Sequence, residues 1–329
     1  MIRSFFWLMV TLLLAALVFA AISYQVAVTS PITKDNAIIF EIKDNQSLSQ
    51  VVQQLEQENI AVNRDWFKII AYLNGQQEQL KSGEYLITPD LKLPELLVLF
   101  VSGVSYQHAI TFPEGWSFNQ IKQTLKQQTA IRQTLDVVTL PELLSLLNCP
   151  YPHIEGLLFP DTYFFKKGDS DFSIIKRAYI KMAEVLQQEW ENRGKNLPVK
   201  TSYEALILAS IIEKETAIPS ERELIAGVFS RRLDKNMKLQ ADPTVIYGLG
   251  RKYQGNIRKQ DLLQDTAYNT YRHKGLTPTP IAMPGRKAIY AALHPAQGDS
   301  LYFVANGHRR HIFSNSLESH NKAVNRYQK

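Results

Sequence analysis

Two acidic residues sit two positions apart in an apolar stretch, Ala209-Ser210-Ile211-Ile212-Glu213-Lys214-Glu215-Thr216-Ala217. An acid in apolar surroundings loses solvation of its charged form, so its pKa rises. A carboxylic acid still protonated near neutral pH is the group that general-acid cleavage of a glycosidic bond requires. Leu208, Ile211, Ile212 and Glu215 follow the i, i+3, i+4, i+7 spacing, which puts Glu215 on the apolar stripe of a helix. Glu213 lies about 160° around that helix and is expected nearer solvent. The competing reading is structural: Glu215 caps its own helix end or pairs with Arg222.

The elements that position these acids have readable boundaries. Thr201 with Glu204 is a capping box that opens a helix from Ser202 to about Ala217, stopped by Pro219. Ser220 with Glu223 is a second box, opening a helix through about Leu233. Asp242-Pro243 reads as an N-cap and first-turn pair for a short helix through Tyr247. Upstream, a strand, turn and helix occur twice, each with a capping serine. The first runs from Ala37 through Lys43-Asp44-Asn45-Gln46-Ser47 to Leu55. The second runs from His108 through Pro113-Glu114-Gly115-Trp116-Ser117 to Leu125. Small α+β modules of this kind often bind polymers, although two similar packing solutions would give the same pattern. Between them Asp65–Tyr72 and Leu93–Val101 read as helices and Gly83–Ile87 as a strand, while Ile174–Arg193 reads as a long amphipathic helix.

From Ser4 to Thr33 no residue is charged, and Phe5–Ser23 is almost continuously apolar. As a helix that run spans roughly 28 Å, about one hydrocarbon core. Arg3 precedes it and Trp7 suits an interfacial position, so the expected orientation is N-terminus cytoplasmic and the remainder outside. A cleaved leader ending near Val18-Phe19-Ala20 is the alternative. The 329 residues are 45% apolar and 21% charged, with formal net charge +6 and one cysteine. That excludes a disordered chain, an intrachain disulfide and a CxxC site. The excess positive charge fits an anionic partner such as a phospholipid surface or wall polymer.

Other signals carry little. His308 and His311 flank two arginines in a turn between strands Leu301–Ala305 and His311–Ser314, with no carboxylate at ligand spacing, so a metal site is not expected. Gly248-Leu249-Gly250 lacks the third glycine of a dinucleotide fingerprint. Cys149 has no basic neighbour in sequence to activate it. No cofactor is expected, and the scattered basic residues argue against nucleic acid.

The segment Ala209–Ala217 closely resembles the signature of the YceG-like (MltG) family of membrane-anchored endolytic murein transglycosylases. The similarity continues in Leu239-Gln240-Ala241-Asp242-Pro243-Thr244-Val245-Ile246-Tyr247-Gly248, Ala267-Tyr268-Asn269-Thr270-Tyr271, Pro280–Gly285, Leu301–Ala305 and Ser319-His320-Asn321-Lys322. Gly275-Leu276-Thr277-Pro278-Thr279-Pro280 departs from the family's more usual Gly-Leu-Pro-Pro-Gly-Pro. The resemblance implies cleavage of the bond between N-acetylmuramic acid and N-acetylglucosamine with a 1,6-anhydro product end. It implies Glu215 as the single acid and base, chosen over Glu213 because a small hydroxyl residue, Thr216, follows it as in lysozyme-like relatives. Glu213, Gln240, Asp242, Thr244, Tyr247, Asn269 and Tyr271 then become expected substrate-binding residues: Gln240 and Asn269 by amide hydrogen bonds, Tyr247, Tyr268 and Tyr271 by stacking on sugar rings. Core packing of the tyrosines and simple capping by Asp242 are the alternatives. Peptidoglycan strands are the implied partner, with penicillin-binding proteins and other wall synthases at the inner membrane. A non-catalytic wall-binding scaffold is the rival reading.

The expected fold is α+β: cytoplasmic residues 1–4, a transmembrane anchor at 5–23, a linker at 24–37 and a LysM-like module at 38–105. A connecting α+β segment at 106–153 then leads to a mixed α+β catalytic domain at 154–329 with a lysozyme-like active-site helix.

Overall fold

The computed structural model describes residues 2–33, 36–307 and 310–327. The chain divides into two compact units, 1–108 and 109–329.

The first unit begins with helix α1 (Ile2–Thr29), long and apolar enough to cross a membrane, and its side chains bury nothing in their central run. Strand β1 (Ile38–Ile42) is followed by helices α2 (Leu48–Gln57) and α3 (Arg64–Leu73), strand β2 (Gly83–Ile87) and helix α4 (Leu93–Ser102). β1 and β2 pair antiparallel with Phe40 opposite Tyr85. Alternation puts Phe40, Ile42, Tyr85 and Ile87 on one face, where they pack with Phe67 and Phe100. The expected linker at 24–37 is partly this core. Helix α1 runs on to Thr29, Tyr24 meets Trp66 edge-to-face at 5.2 Å, and Ile32 is buried. Burial of the apolar side chains in this stretch favours that outcome.

The second unit holds β3 (His108–Thr111), α5 (Phe118–Lys126), α6 (Leu140–Leu146), β4 (Thr162–Phe165), α7 (Asp171–Glu191), α8 (Ser202–Glu215), α9 (Arg222–Asp234) and α10 (Asp242–Leu249). It continues with α11 (Lys259–Leu263), α12 (Arg286–Leu293), β5 (Tyr302–Ala305), β6 (His311–Ser314) and α13 (Leu317–Tyr327). β3 pairs with β4, and β5 with β6 as an antiparallel hairpin that sets Ala305 opposite His311. In residues 106–153, expected as a connecting α+β segment, Ile110, Phe112, Ile121, Leu125 and Leu143 belong to the same apolar core as α7, α8 and α12.

Helix α8 is the centre of that core. Every residue from Ala205 to Ile212 is buried, with α7, α9, α10 and α12 packed around it. A helix apolar on all sides has no solvent face to offer. Each buried Leu or Ile side chain contributes about 1.5–3 kcal/mol. Thr201 caps its start by accepting from the Glu204 N–H at 3.1 Å, but the Glu204 carboxylate turns to the Lys200 N–H instead of closing the box. The second expected box does not form at all: Pro219–Glu221 makes a 3₁₀ turn, and α9 starts after it without a side-chain cap.

Both serine boxes of the repeated pattern do form, Ser47 with Gln50 and Ser117 with Gln120. The second turn packs on α8 within its own unit. The Lys214 ammonium donates to the Gly115 carbonyl, and the Gly115 N–H to the Met283 carbonyl at 2.8 Å. Gly156 (φ +79°) is one position where glycine is required: a Cβ there would overlap the Pro280 ring.

Candidate active site

Glu215 is the last residue of α8, and Thr216 leaves the helix in an extended conformation. The Glu215 side chain is half-buried and lines a groove of about 410 Å³. The groove walls come from α9 (Arg232), the segment entering α10 (Leu239, Gln240, Asp242), Tyr271, the β5–β6 hairpin and α13. Burial pushes the Glu215 carboxyl up to about 8, and the negative charge of Asp242 adds to the effect. The C-terminal end of a helix dipole opposes a carboxylate in the same direction. Among the described residues no cation pairs with Glu215. The alternative in which Glu215 pairs with Arg222 does not hold.

Arg222 pairs with Glu213. Its Nη2 lies 3.2 Å from Glu213 Oε1, and the Gly285 N–H donates to Glu213 Oε2 at 2.9 Å. The Glu213 side chain is 6% exposed, so the expectation that it faces solvent was wrong. Packing from every direction leaves α8 without the one wet side that helical periodicity suggests. Burial raises the Glu213 carboxyl, while Gly285 and Arg222 draw it back down. Both carboxylate oxygens are thus engaged by protein groups, which leaves Glu213 a poor substrate ligand.

Of the remaining expected residues, Gln240, Asp242 and Tyr271 reach the groove. Asp242 does not cap α10. Ala241 holds that position, and the exposed Asp242 carboxylate accepts the Tyr271 hydroxyl at 2.5 Å. Tyr271 is raised by burial first and by Asp242 second. Gln240 adopts φ +52°, and its side-chain oxygen accepts from Arg232 Nη1 at 3.2 Å.

Thr244, Asn269 and Tyr247 are placed elsewhere. Thr244 is fully buried, bonded to the Ala241 carbonyl and the Thr270 hydroxyl. Asn269 is fully buried too. Its amide donates to the Leu262 and Gln264 carbonyls, and its oxygen accepts the Tyr271 N–H. It shapes the loop that presents Tyr271 and has no amide group left for a sugar. Tyr247 donates its hydroxyl to Glu155 Oε2 at 3.2 Å and packs against Tyr268 at 4.8 Å. Tyr268 in turn bonds Thr279, a residue of the loop that departs from the family pattern. Thr277 and Thr279 satisfy their hydroxyls inside that loop, which accommodates the departure.

Sequence reasoning overlooked several groups. Glu155, within the apolar and aromatic stretch Ile154–Phe165, is raised to about 7 by burial although it accepts from the Phe118 N–H and Tyr247. Arg232 spreads its donors over the Leu239, Leu301 and Lys238 carbonyls and lies over the Tyr302 ring. Tyr302 stacks with His320 at 5.2 Å on the groove wall. Tyr302 and His320 lie in the later motifs Leu301–Ala305 and Ser319–Lys322, whereas Glu155 and Arg232 lie outside every motif that carries the resemblance. Of the HRRH turn, His308 and Arg309 lie outside the described residues. His311 binds Glu221 through Nδ1 at 2.7 Å.

The profile of the YceG-like family matches residues 40–326. The chain belongs to the YceG-like family. A Bacillus subtilis relative, an endolytic murein transglycosylase, is 30% identical over 93% of this chain and 90% of its own length. A Streptococcus pneumoniae relative with the same name is 28% identical over 86% of this chain, which spans 57% of that longer protein. A crystal structure of a YceG-like protein from Listeria monocytogenes superposes with a TM-score of 0.55 at 29% identity, covering 87% of this chain and 98% of that one.

Proposed function

We propose that this chain is an endolytic murein transglycosylase that uses Glu215 as its one proton-carrying group. The observation that carries the reading is a half-buried carboxyl, raised to about 8 and without a cationic partner among the described residues, lining an open groove. Its relatives' shared name supports the same activity.

In this reading Glu215 donates its proton to the O4 oxygen of the leaving N-acetylglucosamine as the C1–O4 bond breaks. The C6 hydroxyl oxygen of the same N-acetylmuramoyl residue bonds to C1. Its proton passes to the Glu215 carboxylate, which restores the acid and leaves a 1,6-anhydro end. Attack from within the ring gains from proximity and consumes no water. A hydrolase would require a second carboxylate to hold a water. Here Asp242 sits beside Glu215, and its role is to keep the Glu215 proton in place while Tyr271 holds the Asp242 carboxylate. Tyr302 and His320, stacked on each other and backed by Arg232, form one wall of the sugar-binding groove.

Helix α1 is the membrane anchor in this reading, with the second unit outside the cytoplasm, where it shortens nascent strands beside wall synthases. The first unit reads as a LysM-like glycan-binding module. Its β1-α2-α3-β2 order leaves a second groove, about 950 Å³, between residues 42–49 and the end of α3 with residues 77–82. Tyr72 is exposed at its edge, and the buried Gln77 Oε1 has no partner among the described residues.

The test is digestion of purified murein by the detergent-solubilised chain, with products read by mass spectrometry. Anhydro-muramoyl ends are the expected result. Reducing ends would identify a hydrolase, and no products with retained murein binding would leave a wall-binding scaffold.

A further inference from the structure

Glu221 lies in the 3₁₀ turn after α8, and its side chain is only 9% exposed. It holds His311 twice. The His311 backbone N–H donates to Glu221 Oε1 at 3.0 Å, and the ring Nδ1 lies 2.7 Å from Oε2. An ionised carboxylate only accepts hydrogen bonds, so Nδ1 carries the proton in this pair. That fixes the ring orientation and leaves Nε2 as the remaining polar atom of the ring. No described residue bonds Nε2. Phe303 meets the ring edge-to-face at 5.4 Å, and His311 lines the groove that contains Glu215.

The same carboxylate is tied to the catalytic helix. The Thr216 hydroxyl donates to Glu221 Oε2 at 3.5 Å and accepts from the Ile218 N–H at 3.0 Å. Thr216 directly follows Glu215 in the chain. A short path of bonds therefore connects the end of α8, through Thr216 and Glu221, to the first residue of β6. A buried acid of this kind, committed on both oxygens, costs desolvation that a purely apolar hairpin contact would avoid.

We propose that His311 is a second substrate-contacting residue of the groove, oriented by Glu221 so that Nε2 hydrogen-bonds a hydroxyl or acetamido group of the sugar bound at Glu215. Glu221 is its positioning residue. The inference rests on the transglycosylase reading and adds to it a polar contact from the hairpin side. A hydrogen bond formed in the transition state fixes the sugar for attack on C1.

Two substitutions separate this role from a structural staple. Asn places an amide nitrogen where Nδ1 sits, so His311→Asn keeps the bond to Glu221 and loses Nε2. Gln extends to the Nε2 position, so His311→Gln keeps a polar atom in the groove and loses the Glu221 bond. Full-length chain in detergent is assayed on short murein glycans, with melting temperature as the folding control. His311→Asn is expected to melt like the wild type and lose roughly three- to tenfold in kcat, the range for a hydrogen bond to a neutral partner. His311→Gln is expected to melt lower yet keep more activity than His311→Asn. Glu221→Gln is expected to slow the wild type but to have little further effect on His311→Asn, because residues acting through one another are not additive. His311→Asn within twofold of wild-type kcat overturns the inference, as does full additivity with Glu221→Gln. Glu215→Gln is the control for the parent reading: if it cleaves as well as the wild type, the parent reading falls; if it is inactive, the His311 result is judged alone.

Discussion

Arg222 grips Glu213 and leaves Glu215 alone. The guanidinium Nη2 sits 3.2 Å from Glu213 Oε1, with both side chains under a tenth exposed. Two glutamates two positions apart are thereby given opposite environments: one is charge-compensated in the core, the other faces a groove beside a second acid. Separation of acid environments is how a protein assigns distinct roles to chemically identical groups.

Glu215→Gln should fold, bind murein and lose cleavage by roughly 10²–10⁴-fold, the usual contribution of a positioned general acid. Anhydro-muramoyl ends counted by mass spectrometry give the rate. Full activity in this variant would remove Glu215 from the mechanism.

The pH profile should carry a descending limb. Glu215 must be protonated to donate, so activity falls as pH rises through about 8. Asp242 raises that value, so Asp242→Asn should shift the limb to lower pH. A limb that stays in place, with cleavage still measurable, would show that Asp242 does not act on Glu215.

Stability should fall over the same rise in pH as activity does. Glu215 has a folded value of about 8 against an ordinary 4.5, so the native state binds the extra proton between those limits. Its contribution is fully present below about pH 4.5 and is lost as pH rises through 8. Glu155 adds the same trend up to about 7. Glu215→Gln carries no such dependence. It should melt above the wild type at pH 8, and the gap should narrow towards pH 5. Equal melting temperatures at pH 8 would mean that Glu215 is better solvated than its place on α8 indicates.

Arg222→Ala should cost about 3–5 kcal/mol, because it strands the buried Glu213 carboxylate. Chemical denaturation measures this. Glu213→Gln should cost less, since the Gly285 N–H keeps an acceptor. Any residual activity of Arg222→Ala should keep the wild-type pH limb, as Arg222 does not contact Glu215.

Tyr72→Ala should weaken sedimentation of the full chain with insoluble murein and leave kcat on short glycans unchanged. Tyr72 is 63% exposed at the edge of the first unit's groove, so its removal disturbs no core contact. Unchanged sedimentation would remove this groove from glycan binding.

Local chemistry was legible in the chain. The apolar run of α1, the capping serines Ser47 and Ser117, the start of α8 at Thr201 and the position of Glu215 at the end of its apolar stripe all follow from neighbours within a few residues. Capping, helical period and turn preference act over that range. The series of motifs in the second half was likewise enough to indicate the family. Gln240, Asp242 and Tyr271 line the groove, while Asp242 does not make the helix cap that its type and the following proline suggested.

What the tertiary structure decided concerns groups brought together from distant parts of the chain. The partner of Arg222, the burial of Glu213, the use of Asn269 and Thr244 inside the scaffold, the clamp of Glu155 on Tyr247 and the pairing of Glu221 with His311 each join segments far apart in sequence. Helical periodicity shows which residues share a face but not whether that face meets water. Packing of α7, α9, α10 and α12 around α8 settled that question, because desolvation and charge pairing depend on everything within a few ångströms, wherever in the chain it comes from.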